Sequence, residues 1–208
     1  MELPELLGRL REFDLLLDTD PKFPNVTALL AGETVQGSWW AHPKAHEVYR
    51  VASELRAQPD VLTIKFVSGK ITFIHRPLWM AVLAIAAARE PWQMRGLSRE
   101  AATLLRKADK EGSLTSSGDA VRELEARLLV RAQSVHTERG FHKKQVQTWK
   151  SWADSVQLGP VALTADEGKA QLESVVARLN KQFGARGTLP WQIRPPQSKR
   201  ARASPVAP

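Results

Sequence analysis

Two runs of β-branched and aromatic residues, Val61-Leu62-Thr63-Ile64-Lys65-Phe66-Val67 and Ile71-Thr72-Phe73-Ile74-His75, flank the pair Ser68-Gly69. Runs of this kind around a short Gly-containing turn predict a β-hairpin. Alternation places Ile64 and Phe66 on one face and Lys65 on the other. Directly after it, Pro77 opens a stretch in which Trp79, Val82, Leu83, Ile85 and Ala86 occupy most sides of a helix over 78–88. A helix apolar on most sides has to be buried. Glu90-Pro91 ends it. Before the hairpin, leucines at helical spacing predict a helix over 2–17, followed by a short one over 25–30, capped by Asn25 and stopped by Gly32. A further helix is expected from Pro43 to about Arg56. The first part, residues 1–95, therefore reads as helices around a central hairpin.

Residues 98–147 repeat a different order: helix, short strand, helix, strand, turn, strand. Ser98 caps the first helix and Gly112 closes it. Ser113-Leu114-Thr115 follows as a strand, and Val121, Leu124 and Leu128 stripe the next helix. Residues 129–135 and 141–147 form a hairpin around the turn 137–140. This is the order of a winged helix. In many such modules a helix enters the major groove while the wing touches phosphates. Only five residues separate Gly112 from Gly118, so the usual middle helix is either missing or supplied by residues 78–88. A last helix opens at Thr164-Ala165-Asp166-Glu167 and stops at Gly184. The fold class expected overall is α+β. A helical and hairpin part over 1–95 packs with a winged-helix-like part over 96–184, and a disordered basic tail over 185–208 follows.

Charge sharpens this reading. The net charge of +8 is unevenly spread: residues 1–100 balance, 101–150 carry an excess of four positive charges, and 181–208 hold six basic residues and no acid. Cationic segments attract polyanions, nucleic acid above all, through charge and counterion release. On the wing, Arg131, Arg139, Lys143 and Lys144 suit phosphate contact, and Lys199, Arg200 and Arg202 of the tail would add nonspecific affinity. The helix before the wing offers Arg122 and Arg127 but also Asp119, Glu123 and Glu125, an acidity that counts against insertion into a groove. A tail that only keeps the chain in solution, and a winged module that is only structural or binds protein, are the alternatives.

The string over 129–153, LVRAQSVHTERGFHKKQVQTWKSWA, together with GSWWAHP and VSGKITFIHRPLW, resembles short bacterial proteins related to AlkZ-type DNA glycosylases. Those enzymes are built from tandem winged helices and excise alkylated or crosslinked bases. The resemblance implies DNA binding and a repair-associated role. It also brings in a Gln-x-Gln or Gln-x-Asp working motif, which Gln145-Val146-Gln147 matches in letters. In such a role one glutamine positions a water against the glycosidic carbon of a flipped nucleotide. The alternative is two polar residues on the solvent face of a strand.

A second cluster offers different chemistry. His42 and His46 lie four apart, a spacing that can hold zinc, but a third ligand would have to come from His75, His136 or His142. His75 and Arg76 could face Trp39 and Trp40 and make a pocket able to stack a base. Amphipathic residues sealing a core edge are the alternative. No cofactor and no metal site is expected. The chain has no cysteine, which excludes disulfides, thiolate ligands and a cysteine nucleophile. Gly-rich phosphate loops, nucleophile elbows and acid pairs of recognisable catalytic spacing are absent from the sequence. The N-terminus lacks the order of a secretory signal, and the apolar stretch over 77–88 falls short of the roughly 20 residues a bilayer needs. The expectation is a cytoplasmic DNA-binding protein, its partner duplex DNA. A small enzyme using the Trp39/His42/His46/His75/Arg76 cluster, or an interaction module docking through its tail, are the alternatives.

Overall fold

The computed structural model describes residues 1–35, 37–136 and 142–192. It is α+β, with two small antiparallel sheets among many helices.

Helix α1 (Leu3–Phe13) begins with proline in its first turn and buries Leu6, Leu10 and Phe13. It stops four residues before the sequence pattern suggests. Asp14 turns left-handed at φ 68° and its N–H bonds back to Leu10 O. Leu15–Leu17 then leave as strand β1, all three buried. Three consecutive leucines fit a helix stripe or a buried strand equally well. The hairpin decides, because its second strand would otherwise present an unpaired edge to an apolar core. The short helix α2 (Val26–Ala31) is capped by the Asn25 side chain, which accepts from Ala28 N. Trp39–Ala41 form one 3-10 turn, and α3 (Ala45–Arg56) follows.

Strands β2 (Val61–Lys65) and β3 (Ile71–His75) form the expected hairpin, with Val61 opposite His75 and Lys65 opposite Ile71. The sheet order is β1-β3-β2, leaving β2 at an edge. Ser68 and Gly69 both take positive φ at the turn, which tightens it.

Helix α4 (Trp79–Ala88) is apolar all round and is the centre of the larger core. A short helix α5 (Pro91–Met94) leads to α6 (Arg99–Glu111), strand β4 (Ser113–Ser116), helix α7 (Asp119–Ala126) and strands β5 (Arg131–His136) and β6 (His142–Gln147). These last strands pair in the order β4-β6-β5, so β5 is an edge. A second, smaller core lies here, built from Ala101, Leu105, Ala108, Val121, Leu124, Leu129, Val130, Ala132 and Val146.

Helices α8 (Trp149–Ser155) and α9 (Ala165–Phe183) belong with the first core rather than the second: Trp149, Trp152, Leu172, Val176 and Leu179 all join the cluster around α4. The boundary expected at residue 95 therefore does not follow the packing, because the chain returns after β6 to cover α4. For the same reason α4 is not the missing middle helix of a winged module; it is held by α8 and α9.

Residues 185–192, expected to start a disordered tail, are ordered. Leu189 is fully buried, Thr188 O accepts from Ser68 N at 2.7 Å, and Trp191 Nε1 donates to Glu173 at 2.6 Å. Composition alone hid this, since only Leu189 and Trp191 anchor an otherwise polar stretch. The tail residues Lys199, Arg200 and Arg202 lie outside the described residues.

Helices α4 and α9 meet at Gly168. A Cβ built there would come within 2.7 Å of Ala81 O, a backbone atom that cannot step aside alone. Gly168→Ala should destabilise the protein by about 1–3 kcal/mol through overpacking, despite the roughly 1 kcal/mol of helix propensity that alanine adds. A urea midpoint at or above that of the parent chain would show that the two helices are not in fixed contact.

Candidate functional site

The two edge strands, β2 of the first sheet and β5 of the second, face each other across a cleft of about 470 Å³. Thr63, Ile64 and Lys65 line one side; Arg131, Ala132, Gln133 and Ser134 line the other; Arg56, Ile71, Glu125 and Lys144 complete it.

Glu125 sits at the heart of this arrangement. It is 6% exposed, on the face of α7 that also carries Val121 and Leu124. A buried carboxylate needs a counterion or it will not stay charged. Lys144 supplies it, with Nζ 2.6 Å from Glu125 Oε2, and Lys65 Nζ stands 4.0 Å from the same oxygen. Alternation along β6 explains the reach: Lys144 shares its face with buried Val146, so it points at α7 rather than at water.

Arg131 opens β5 and is half-buried. Its guanidinium lies 5.8 Å from the ring of Trp152, and Nη2 donates to Gln133 Oε1 at 3.0 Å. Its Nε is buried and finds no hydrogen-bond acceptor among the described residues; the same holds for Thr63 Oγ1 across the cleft. Burial pushes the Arg131 guanidinium below its ordinary pKa. Arg56 is satisfied differently: Nη2 donates to Asp18 at 2.7 Å and the group lies over Phe73.

The four cations expected on an outward-facing wing thus divide. Arg131 and Lys144 both line the cleft, each beside a partner, Trp152 or Glu125. Lys143 is exposed on the face of β6 opposite to that of Lys144, and Arg139 lies outside the described residues. Gln145 and Gln147 share Lys143's face of β6, the face on which Gln133 and Arg131 of β5 stand opposite them. Gln145 is exposed and donates to Ser113 Oγ at 3.3 Å, while Gln147 Nε2 reaches Ser151 Oγ at 3.5 Å. Neither lines the cleft.

The expected Trp/His/Arg pocket is not assembled. Trp39 and Trp40 stack on each other at 4.0 Å, with Tyr49 of α3 5.7 Å from Trp40. His42 pairs with Glu33 at 3.1 Å and its Nδ1 accepts from Lys44 N, while His46 is exposed. His75 and Arg76 sit elsewhere, at the end of β3. Arg76 pairs with Asp60 and lies over Trp79. His75 borders a small cavity with Leu7, Arg11 and Asp60. The register of β3 against β1 and β2 sends residue 75 toward α1, away from the 3-10 turn at 39–41. Among the described residues no group of three or more His, Asp or Glu could hold a metal ion.

The sequence does carry a signal for the cleft. Glu125 falls four residues after Val121 and one after Leu124, a position inside the apolar stripe of α7. An acid at a core position asks for a buried cation, and Lys144 is the answer that pairing of distant strands provides.

With this geometry established, comparison with known proteins adds no neighbour: no family model matches the chain, and no curated protein or solved structure does so.

Removing Lys144 should leave Glu125 buried without its main partner. Lys144→Met is expected to cost about 3 kcal/mol, and pairing it with Glu125→Leu should recover most of the loss. Equal destabilisation of the single and double variants in urea titrations would show that the pair is not a buried unit. Burial holds His75 below the ordinary imidazole value, with Arg11 lowering it further and Asp14 and Asp60 opposing. Because the unfolded chain then takes up the proton first, the stability linked to His75 is full above the ordinary imidazole range and is lost as pH falls through it. NMR titration should place His75 below a free histidine peptide, and Asp60→Asn should lower it further; a midpoint at or above the peptide's would contradict this.

Proposed function

We propose that residues 99–147 act as a winged-helix-type module that binds duplex DNA through its phosphates. The observation that carries this reading is how the module's charges are spent. The acids of α7, which argued against an approach to DNA, are each neutralised within the protein. Asp119 pairs with Arg122, Glu123 pairs with Arg127 and accepts from Ser98 N, and Glu125 is buried against Lys144. Arg99, Arg106, Lys107, Lys110 and Lys143 are exposed and form no ion pair among the described residues. In the first part Arg9, Arg50, Arg56, Lys70, Arg76 and Arg89 each pair with a carboxylate, while Arg11, Lys22, Lys44 and Arg95 stand exposed without an ion pair among the described residues. Against these five cations the module leaves Glu100 and Glu111 as exposed acids without an ion pair among the described residues, so it keeps a positive excess, which is what attraction of a polyanion requires.

The connectivity supports the same reading. Strand β4, helix α7 and the β5–β6 hairpin run in the order of a winged helix, with β6 between β4 and β5. Lys143 is exposed on β6, and Arg139 lies outside the described residues. Contacts with phosphates position a protein on the duplex without reading its sequence. The repair-associated part of the reading rests on the resemblance to AlkZ-related proteins. Gln145 and Gln147 would have to serve it from a face open to solvent.

The triple variant Arg106→Glu, Lys107→Glu, Lys143→Glu should weaken duplex binding by tenfold or more and reduce the slope of log K against log salt by about 3. Fluorescence anisotropy at two salt concentrations measures both, on the full chain and on a chain ending at Gln192. Unchanged affinity of the triple variant in the shorter chain would remove the module from DNA binding. Binding lost on truncation alone would assign the whole effect to the tail.

A further inference from the structure

The cleft between β2 and β5 holds charge that the DNA reading does not use. Asp18 neutralises Arg56. The remaining cations, Lys65, Arg131 and Lys144, face one carboxylate, Glu125. That leaves an excess of two positive charges around a partly enclosed space. A phosphomonoester carries about −1.5 to −2 charges near neutral pH.

Arg131 is the focal group. Its guanidinium lies over the Trp152 ring at 5.8 Å, and Gln133 takes one of its five N–H donors. No carboxylate pairs with it among the described residues, and its buried Nε lacks an acceptor. A half-buried guanidinium left in this state is costly, and a planar fork is well matched to two phosphate oxygens. Thr63 Oγ1 places a second unsatisfied hydrogen-bonding group on the facing strand of the same cleft. The volume, about 470 Å³, falls within the range of about 300–1,000 Å³ usual for small-molecule sites. Ile64, Ile71 and Ala132 give it apolar walls.

We propose that this cleft binds a phosphomonoester of nucleotide size, its phosphate held by Arg131, Lys65 and Lys144 and its body resting on Ile64, Ile71 and Ala132. The phosphate can belong to a free nucleotide or to the 5′ end of a nucleic-acid strand; the chemistry recognised is the same. Glu125 keeps Lys144 in place while limiting the positive charge offered, so it sets the affinity of the site downward.

Isothermal titration calorimetry at constant ionic strength tests this with adenosine monophosphate, adenosine, and a trinucleotide with and without a 5′-phosphate. Adenosine monophosphate should bind and adenosine should not. Arg131→Gln and Lys65→Gln should each weaken binding about tenfold, the loss of one charge-assisted contact. Glu125→Gln should strengthen it severalfold, the reverse of what a general loosening of the fold would do. If Glu125→Gln does not fold, the partly exposed Lys65 carries the test, since its removal leaves the Glu125–Lys144 pair intact. Lys143→Glu should leave nucleotide binding unchanged, so that failure here and failure of the DNA proposal are separable. Tighter binding of the phosphorylated trinucleotide than of the nucleotide would assign the phosphate to a strand end, and the reverse to a free nucleotide. Equal heats with adenosine and its monophosphate, or no loss in Arg131→Gln and Lys65→Gln, would overturn the proposal.

Discussion

A helix without a polar face has to be enclosed on every side, and the fold can be followed outward from that constraint. The β1-β3-β2 sheet supplies part of the apolar cluster in which α4 lies, through Leu16, Leu62, Phe73 and Ile74. The remaining cover comes from α8 and α9, which are separated from α4 in sequence by the whole of the second sheet. Gly168 permits the closest contact, backbone against backbone at Ala81. Burying a large apolar side chain is worth about 1.5–3 kcal/mol, so the chain's return across α4 is strongly favoured. That return is what anchors the smaller module: β6 leads directly into α8, whose Thr148 cap follows the strand with no intervening loop.

The same return creates the cleft. Once α8 is docked on α4, Trp152 is fixed beneath Arg131, and β5 is brought alongside β2. Two sheets that share no hydrogen bonds then meet through their edges. Exposed edges invite further pairing, and here charged and polar side chains occupy the gap. Glu125 crosses it electrostatically: it is held by Lys144 of its own module and approached by Lys65 of the other. The cleft is thus a joint between the two cores as well as a candidate binding site.

The two populations of cations differ for physical reasons. Several paired cations of the first part meet acids that the fold brings from distant positions, as Arg56 meets Asp18 and Lys70 meets Asp20. Those of α6 and of the hairpin stand on surfaces where Asp109 and the acids of α7 are paired off and only Glu100 and Glu111 stay exposed without an ion pair among the described residues. Net charge by segment already pointed at residues 101–150, but only the pairing shows which charges remain available to a polyanion.

The hairpin at 61–75, the buried helix at 78–88 and the capped starts of α2, α6 and α9 were legible from the residues, because each depends on contacts within a few positions: alternation, a cap, a turn glycine. Where the sequence reading differed, a distant partner decided. Leu15–Leu17 became a strand because β3 needed a neighbour. Residues 185–192 were ordered by Ser68, Phe66 and Glu173, which no local composition reveals. The cationic hairpin was legible as charge, yet Arg131 and Lys144 line the cleft because Trp152 and Glu125 lie where only the assembled cores bring them. By itself the sequence determined the α+β class, most element positions and the location of excess positive charge, since these follow from short-range patterning and counting. The direction each charge faces, and the cleft it helps to line, were decided by tertiary packing, because counterions and stacking partners come from segments far apart in the chain.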